Sequence, residues 1–484
     1  MSWALAPEGS RFHEFNSFTT SANDPVSGGL HLGQARGSPP AVVAGWTGTP
    51  SLPSLYDGQQ RGKESMSPTI FISAGEASGE HYGALLVAAL RQQLAAEGRT
   101  AQFFGMGGTR MEAAGLERVV HSEDMAVMGL TEVIRHLPRI YGEFRKLKQA
   151  IRTRRPGVAV LIDFPEIHFR LAEELHRLGI PVVFFVSPQL WAWKKHRIKL
   201  VRKYIDRMLV IFPFEEPFYR QQGVQAEFVG HPLAELPLPT ISRAQFAAEH
   251  GLNPEMTWIG LLPGSRPKEI SDNLPEMIHA AILLFHDYHL EQGNPEPQFI
   301  IPLAPTLTAP QRCAAREMVD QLCENLTIRL IDDLGAEGVV GPTAGGARAA
   351  LFHARASVVA SGTATVEAAL IGNPFVVVYR VSPLTFAIAR RVVTVDHVAM
   401  VNLIAGKRAV PELIQSDFTA ANIVQQIGPL LPDGAPRQSM MQELRVVRDH
   451  LSAGPASRGG AGAGAIERVA AITLELLGAV SPAR

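Results

Sequence analysis

The strongest constraint on the fold is a rhythm. From residue 69 onward, short unbroken apolar runs alternate with longer stretches of helical period, and the pattern restarts after a proline-rich break. The first series is "TIFISAG", "AQFFGMGG", "GVAVLIDFP", "PVVFFVSP", "RMLVIFPFE" and "AEFVGHP". The second is "TWIGLLPGS", "QFIIPLAP", "LTIRLIDD", "ASVVASGTAT" and "PFVVVYR". Continuous apolar runs of this length fit strands covered on both faces, and strands that alternate with helices build parallel sheets. The break is "LAELPLPTISRAQF", 233–246. The expected fold is therefore α/β, with two Rossmann-like doubly wound parallel-sheet domains facing a central cleft. The expected boundaries are 66–236 for the first domain and 237–451 for the second. Residues 452–484 supply a Gly/Ala linker, "SAGPASRGGAGAGA", and a terminal amphipathic helix whose docking site the pattern does not reveal.

Residues 1–65 break the rhythm. "SGGLHLGQARGSPPAVVAGWTGTPSLPS" is rich in Gly, Pro and Ser without strand or helix period. It reads as a disordered extension or as a start codon placed too early, with Met66 the alternative start. No basic start leads into an apolar stretch, so a signal peptide is not expected. Elsewhere no apolar run approaches the ~18 residues of a spanning helix. With 46% hydrophobic and 19% charged residues, the chain as a whole has the makings of sizeable cores. A net charge of -1 removes any global attraction to nucleic acid or membrane, so such a preference has to be local. The two cysteines, Cys313 and Cys323, lack metal-ligand spacing and fit a reducing compartment.

In open parallel sheets ligands bind beyond the strand C-termini, so the loops there are the candidates. "AGEASGEHYGALL" turns from strand to helix through Gly75, Glu76, Ser78 and Gly79, where backbone can approach a ligand. "LLPGSRPKEI" places Gly264 and Ser265 in a sharp turn and Arg266 at a helix mouth, where its fork can grip a diphosphate or a base. "ASGTATVEAAL" ends a strand at Ser361, Gly362 and Thr363. Helix amides follow for phosphate, with Glu367 expected in the first turn to bond vicinal ribose hydroxyls. Taken singly, each loop has a plainer use in packing or capping. Two in one half favour a nucleotide-sugar site. In the other half Asp163 ends a strand in "LIDFPEIHFRLA", placed to accept a proton from a substrate hydroxyl, with Glu166 as competitor. No Walker loop, HExxH or Asp-x-Asp pair occurs, so neither metal nor cofactor is expected.

Two further stretches stand out. "SPQLWAWKKHRIKLVRKYIDRML", 187–209, carries Trp191, Trp193 and seven Lys or Arg against one acid, Asp206. Read as a helix from Trp193, it places Ile198, Val201, Tyr204, Ile205 and Met208 on one face. Lys195, Lys199, Lys203 and Arg207 form an i+4 row on the other, and Arg202 reaches Asp206. The distal cations read as a solvated face. Lys194, Lys195 and Arg197, near the loop, are placed for a phosphate or anionic lipid. The tryptophans either wall off the cleft or pack in the core. "MAVMGLTEVIRHLPRIY", 125–141, has an apolar stripe of Met125, Met128, Val133, Ile134, Leu137 and Ile140 flanked by Arg135 and Arg139. Such a stripe suits either a membrane interface or a core.

The motifs "AGEASGE", "MGLTEVI", "DFPE", "SPQLWAWKKHRIK", "IFPFE", "VGHPL", "LLPGSRPKEI", "SGTATVEAAL" and "NLIAGKRAVPELIQ" occur in the order found in lipid-A-disaccharide synthases. The chain resembles that family from about Met66 to Gln415. The resemblance implies a glycosyltransferase B fold, an acceptor-binding first domain and a UDP-sugar-binding second domain. It implies transfer of 2,3-diacylglucosamine from UDP to 2,3-diacylglucosamine 1-phosphate, giving a β-1,6 disaccharide and UDP, in Gram-negative lipid A biosynthesis. It also implies a cytoplasmic protein in peripheral contact with the inner membrane and no nucleic-acid partner. The sequence leaves a homodimer open. Asp163 matches the family's candidate base. Arg266 and Glu367 match its UDP contacts, and Asn402 and Gln415 match a polar stretch lining the same cleft. His168 stands where the family usually has Asn, and Glu80 where it usually has Asp. The competing readings are another UDP-sugar enzyme on the same fold, such as a UDP-N-acetylglucosamine 2-epimerase, and a non-catalytic nucleotide-sugar-binding protein.

Overall fold

The structure is a computed structural model that describes residues 67–479 apart from 126–129, 324–325, 333–345, 393–394, 396 and 453–462. The expectation for residues 1–65 therefore lies outside it. The first sheet contains β1 (Thr69–Ala74), β2 (Gln102–Gly107), β3 (Leu116–His121), β4 (Val158–Ile162), β5 (Val182–Phe185), β6 (Arg207–Val210) and β7 (Ala226–Phe228). The second contains β8 (Trp258–Leu262), β9 (Gln298–Leu303), β10 (Ile328–Asp332), β11 (Ala356–Ala360), β12 (Phe375–Tyr379) and β13 (Glu412–Ile414). Every pairing is parallel.

The strand orders are β3-β2-β1-β4-β5-β6-β7 and β10-β9-β8-β11-β12-β13. Each sheet thus runs outward one way, returns to its centre and runs out the other way. The reversal falls between β1 and β4 in one sheet and between β8 and β11 in the other. Loops leaving two such strands diverge and open a crevice. Central strands such as β4 (VAVLI) and β8 (WIGLL) are buried at every position, which is why they read as unbroken apolar runs. Each buried Val, Leu or Ile contributes about 1.5–3 kcal/mol.

Three local expectations need correction. β3 and β13 are not among the expected strands: Glu117 and Arg118 interrupt the apolar run of β3, and β13 is three residues long. The helix expected from Trp193 is a 3-10 turn, Lys195–Arg197, followed by an α-helix, Ile198–Tyr204. Met208 and Arg207 instead belong to β6. Asp206 accepts from the Val182 amide at 2.8 Å rather than meeting Arg202, whose Nη2 donates to the Gln222 carbonyl. The basic row therefore ends at Lys203.

The terminal helix, Ala465–Ala479, packs on the helix Ala77–Ala96 and on β4, within the first half of its own chain. Arg468 Nη1 donates to the Val229 carbonyl, and Gln93 Nε2 donates to the Glu467 carbonyl. No helix among the described residues is long and apolar enough to cross a membrane.

Candidate active site

At the first reversal point, β1 and β4 end side by side, Ala74 opposite Ile162. A side chain at Gly75 would run into the Phe164 ring, so the two loops interlock at a glycine. Asp163 and Phe164 both adopt the left-handed conformation, with φ of 53° and 50°. Each such non-glycine residue costs on the order of 1–3 kcal/mol and persists only where surroundings impose it. One surrounding group is His168, fully buried one turn into the helix Pro165–Arg177. Its Nδ1 lies 2.5 Å from the Asp163 carbonyl oxygen, and its Nε2 lies 2.8 Å from Ser73 Oγ on β1. A carbonyl only accepts, so Nδ1 carries the proton and Nε2 accepts from the serine. Burial pushes this imidazole down to about 4, against a weaker upward pull from its bond to the Asp163 carbonyl, so it is neutral at pH 7.

The two competing carboxylates have opposite environments. Desolvation, and then the negative charge of Glu76, push Asp163 up from 3.8 to about 7, against a hydrogen bond from the Phe164 amide. Part of Asp163 remains accessible, as a proton acceptor requires. Glu166 is exposed by comparison and lies in a cationic clamp. Arg197 grips it bidentately at 3.0 and 2.9 Å, and Lys194 adds a third contact at 3.2 Å. Burial would raise Glu166, but these cations outweigh it and hold the carboxyl below its usual range. Environments that drive two carboxyl groups apart separate a proton acceptor from a spectator.

Tyr82 is a site residue that the motifs do not disclose. It sits on the helix Ala77–Ala96, nearly buried, its ring edge-on to His231 at 6.4 Å and tilted against Phe185 at 6.1 Å. Desolvation, Glu367 and Asp163, in that order, push its phenol upward. Carboxylates of both halves thus bear electrostatically on this hydroxyl. No sequence signal could have found it, since the groups that bear on it lie far away in the chain. Ser78 is half-buried and Gly79 buried in the same helix start. Glu80 turns away to accept from the Arg110 amide at 2.9 Å, so its extra methylene serves the loop after β2.

In the second half, Gly264 and Ser265 follow β8, and Arg266 caps the helix Pro267–Leu284. Glu269 closes the turn: its Oε2 accepts from the Ser265 amide at 3.0 Å and its Oε1 from Arg266 Nη1 at 3.1 Å. The Arg266 fork thus already holds a carboxylate that an anionic ligand would have to displace or share. After β11, Ser361 and Gly362 lead into the helix Thr363–Ile371, which has no side-chain cap. Gly362 has φ 154°, and a Cβ there would meet nothing within 4 Å, so open space faces this helix start. The helix begins at Thr363, so Glu367 lies one turn deeper than expected, beyond the first turn.

Asn402 and Gln415 are engaged within the second half. Asn402 is fully buried; its Nδ2 donates to the Val410 carbonyl at 2.9 Å and to Glu412 Oε1 at 2.7 Å, while its Oδ1 accepts from the Val410 amide at 2.9 Å. It supports the 402–412 turn from within instead of lining the cleft. Gln415, also left-handed at φ 53°, pairs with both backbone groups of Val381 at 2.7 and 2.9 Å.

The tryptophans divide. Trp191 is buried, edge-on to Phe214 at 5.0 Å, and its Nε1 donates to Glu215 Oε1 at 3.1 Å. Burial pushes Glu215 up to about 7 against donors from Ser187, Trp191 and the Phe212 and Ile211 amides. Trp193 is half-buried, with Lys194 Nζ 4.1 Å from its ring centre. Lys195 is the near-loop cation that does not join the Glu166 clamp. The side chains of Met128, Val133, Ile134, Arg135 and Leu137 lie outside the described residues. Met125 is buried in the first-sheet core and Ile140 packs against it.

With this geometry in hand, the chain can be set beside known proteins. The family model described as lipid-A-disaccharide synthetase matches residues 70–457. A lipid-A-disaccharide synthase of Acidobacterium capsulatum is 59% identical over 413 residues, covering 85% of this chain and 97% of the relative. Another, from Geobacter sulfurreducens, is 40% identical over 419 residues, covering 86% and 99%. Among solved structures, the calicheamicin glycosyltransferase CalG4 superposes with a TM-score of 0.51 at 18% identity, over 86% of this chain and 100% of that one. A UDP-GlcNAc 2-epimerase from Neisseria meningitidis does so at 0.51 and 13%, over 85% and 100%. At these identities the likeness is one of fold alone.

Proposed function

The chain belongs to the lipid-A-disaccharide synthase family, and from that premise we propose how its two reversal points divide the work of glycosyl transfer. The protein is a glycosyltransferase of the glycosyltransferase B fold that acts in lipid A biosynthesis. The epimerase alternative shares the fold only. In the reaction, 2,3-diacylglucosamine passes from UDP to the 6-hydroxyl of 2,3-diacylglucosamine 1-phosphate. One bond forms between the acceptor oxygen and the donor anomeric carbon as the bond to UDP breaks.

The second half holds the UDP moiety. The uncapped helix start after Gly362 offers amides to the diphosphate, Glu367 accepts from ribose hydroxyls, and Arg266 exchanges Glu269 for phosphate. Gln415 and Asn402 shape the adjoining loops. The first half holds the acceptor, and Asp163 takes its hydroxyl proton. The observation that carries this assignment is the contrast between Asp163, raised to about 7, and Glu166, held low by Arg197 and Lys194. A base whose ionisation in the folded site lies near the working pH combines availability with driving force. Incubation of the purified protein with UDP-2,3-diacylglucosamine and 2,3-diacylglucosamine 1-phosphate tests the reading. UDP and a disaccharide 1-phosphate are expected. Epimerised UDP-N-acetylglucosamine without disaccharide would refute it.

Both substrates carry acyl chains, so the protein must meet them at a lipid surface, and we infer peripheral contact with the cytoplasmic face of the inner membrane. Supporting it, the helix Leu130–Arg154 exposes 60% of Tyr141, with Arg145 5.8 Å from its ring centre. Flotation with vesicles containing anionic phospholipid tests this. Equal flotation of Arg145→Glu and the parent protein would exclude this face.

A further inference from the structure

The proposed base is held by its backbone, and one side chain does much of the holding. We propose that His168 is a positioning residue for the proton-transfer step: a neutral imidazole that clamps the Asp163 carbonyl to Ser73 and so aims the Asp163 carboxylate at the acceptor hydroxyl. The inference rests on Asp163 being the proton acceptor.

The geometry is specific. Asp163 Cα is the corner between β4 and the helix Pro165–Arg177, and its left-handed φ of 53° sends the side chain away from the direction that ordinary strand geometry would give. Two contacts hold that corner. The Asp163 amide donates to the Phe185 carbonyl on β5 at 2.9 Å. The Asp163 carbonyl accepts from His168 Nδ1 at 2.5 Å. A carbonyl only accepts, so the second contact requires the proton on Nδ1. Burial keeps the imidazole neutral, which leaves Nε2 to accept from the Ser73 hydroxyl at 2.8 Å on the buried strand β1. Phe164 and Phe184 box the ring edge-on at 5.9 and 6.1 Å, excluding water that would compete for either nitrogen. The ring therefore ties three elements together: the end of β1, the corner after β4 and the helix that follows. His168 reaches no carboxylate, so its effect on chemistry passes through the orientation of Asp163. Among the described residues, the charged or titratable groups bearing on the Asp163 carboxyl are Glu76 from the loop after β1 and Tyr82 from the helix Ala77–Ala96.

This explains how a histidine serves at the fifth position after the aspartate. An asparagine placed there can offer one N–H to the same carbonyl but is too short to reach Ser73 as well. A leucine fills the space and offers nothing.

The test compares His168→Leu, His168→Asn and Asp163→Asn in the full chain. His168→Leu is expected to lower kcat by roughly 10–100-fold with the KM for the UDP-sugar near the parent value, since the UDP loops lie in the other half. Freed from its corner beside Glu76, the Asp163 carboxyl should ionise more readily, so the acid limb of the kcat profile should move to lower pH. His168→Asn should recover part of kcat. Long-range ¹⁵N–¹H correlation of the imidazoles gives a readout independent of activity. The resonance lost in His168→Asn should show a protonated Nδ1 and a bare Nε2 at pH 7. A parent protein protonated at Nε2 would overturn the proposal. So would kcat within twofold of the parent in His168→Leu. A kcat loss that only follows the melting temperature, with an unmoved acid limb, would make His168 structural and also overturn it. Should Asp163→Asn keep its kcat, the base assignment itself fails. Should Asp163→Asn collapse while His168→Leu does not, only the positioning role fails.

Discussion

Replacing Asp163 by asparagine should make the protein slower and, above neutral pH, more stable. Asparagine keeps the shape but cannot take the proton, and a positioned carboxylate contributes roughly 10²–10⁴-fold to such a step. The pH profile sharpens the claim. A group that ionises at about 7 is about half charged at pH 7 and about one-tenth charged at pH 6. The parent kcat/KM should therefore fall about tenfold per pH unit below 7, and this limb should vanish in Asp163→Asn. Stability follows from the same shift. The unfolded aspartate ionises near 3.8, whereas the folded one keeps its proton until about 7. Across that interval the folded chain binds more protons, so stability falls as pH rises. The contribution is fully present below 3.8 and is lost as pH passes 7. At about 1.4 kcal/mol per pKa unit the burden is a few kcal/mol at most, and less where solvent reaches the carboxyl. Thermal melts at pH 5 and pH 8 should show the variant gaining on its parent at the higher pH. An acid limb near 4, a kcat within twofold of the parent, or a variant less stable at pH 8 would each refute the reasoning.

Arg266→Ala and Glu367→Ala should each weaken UDP binding by about 1.5–3 kcal/mol, the value of a charge-assisted hydrogen bond. Unchanged calorimetric affinity in both would move the nucleotide site out of the second half. Glu174→Gln should destabilise the first half by about 1.5–3 kcal/mol at pH 7, because its buried carboxylate takes Lys148, Arg152 and Arg177 at 2.7 Å each. Burial would raise that carboxyl, but the three cations hold it down to about 2. Its contribution is therefore present above the ordinary value of 4.5 and lost as pH falls towards 2, and urea midpoints of parent and variant should converge there.

The central strands were legible because burial on both faces leaves an unbroken apolar run, as in "VAVLI" and "WIGLL". β3 escaped because it is an edge strand, and the consecutive Glu117 and Arg118, one exposed and one half-buried, break its apolar run. The basic helix was read too long because periodicity cannot sense a strand beginning at Arg207. The loops of the site were legible from their glycines and their places after strands. What each polar group does there was not. Glu166 meets Lys194 and Arg197 across 28 and 31 residues, and these contacts turn a rival base into a clamped anion. Asn402 is drawn inward by Val410 and Glu412, a competition for its amide that no motif displays. The carboxylates of both halves bear on the Tyr82 phenol only once the chain has folded.

The return of the terminal helix to the first half gives the molecule a mechanical character. The backbone passes between the halves on the way out after Val229 and again on the way back before Ala465. At the flanks of these passages, the His231 amide donates to the Leu451 carbonyl at 2.9 Å, and the Ala465 amide donates to Glu235. A single tether would let one half twist, swing and drift against the other. Two connections bonded to each other at their flanks restrict twist and drift more than a single one does. Fewer free motions at that joint leave less conformational entropy to be lost when a ligand bridges the halves.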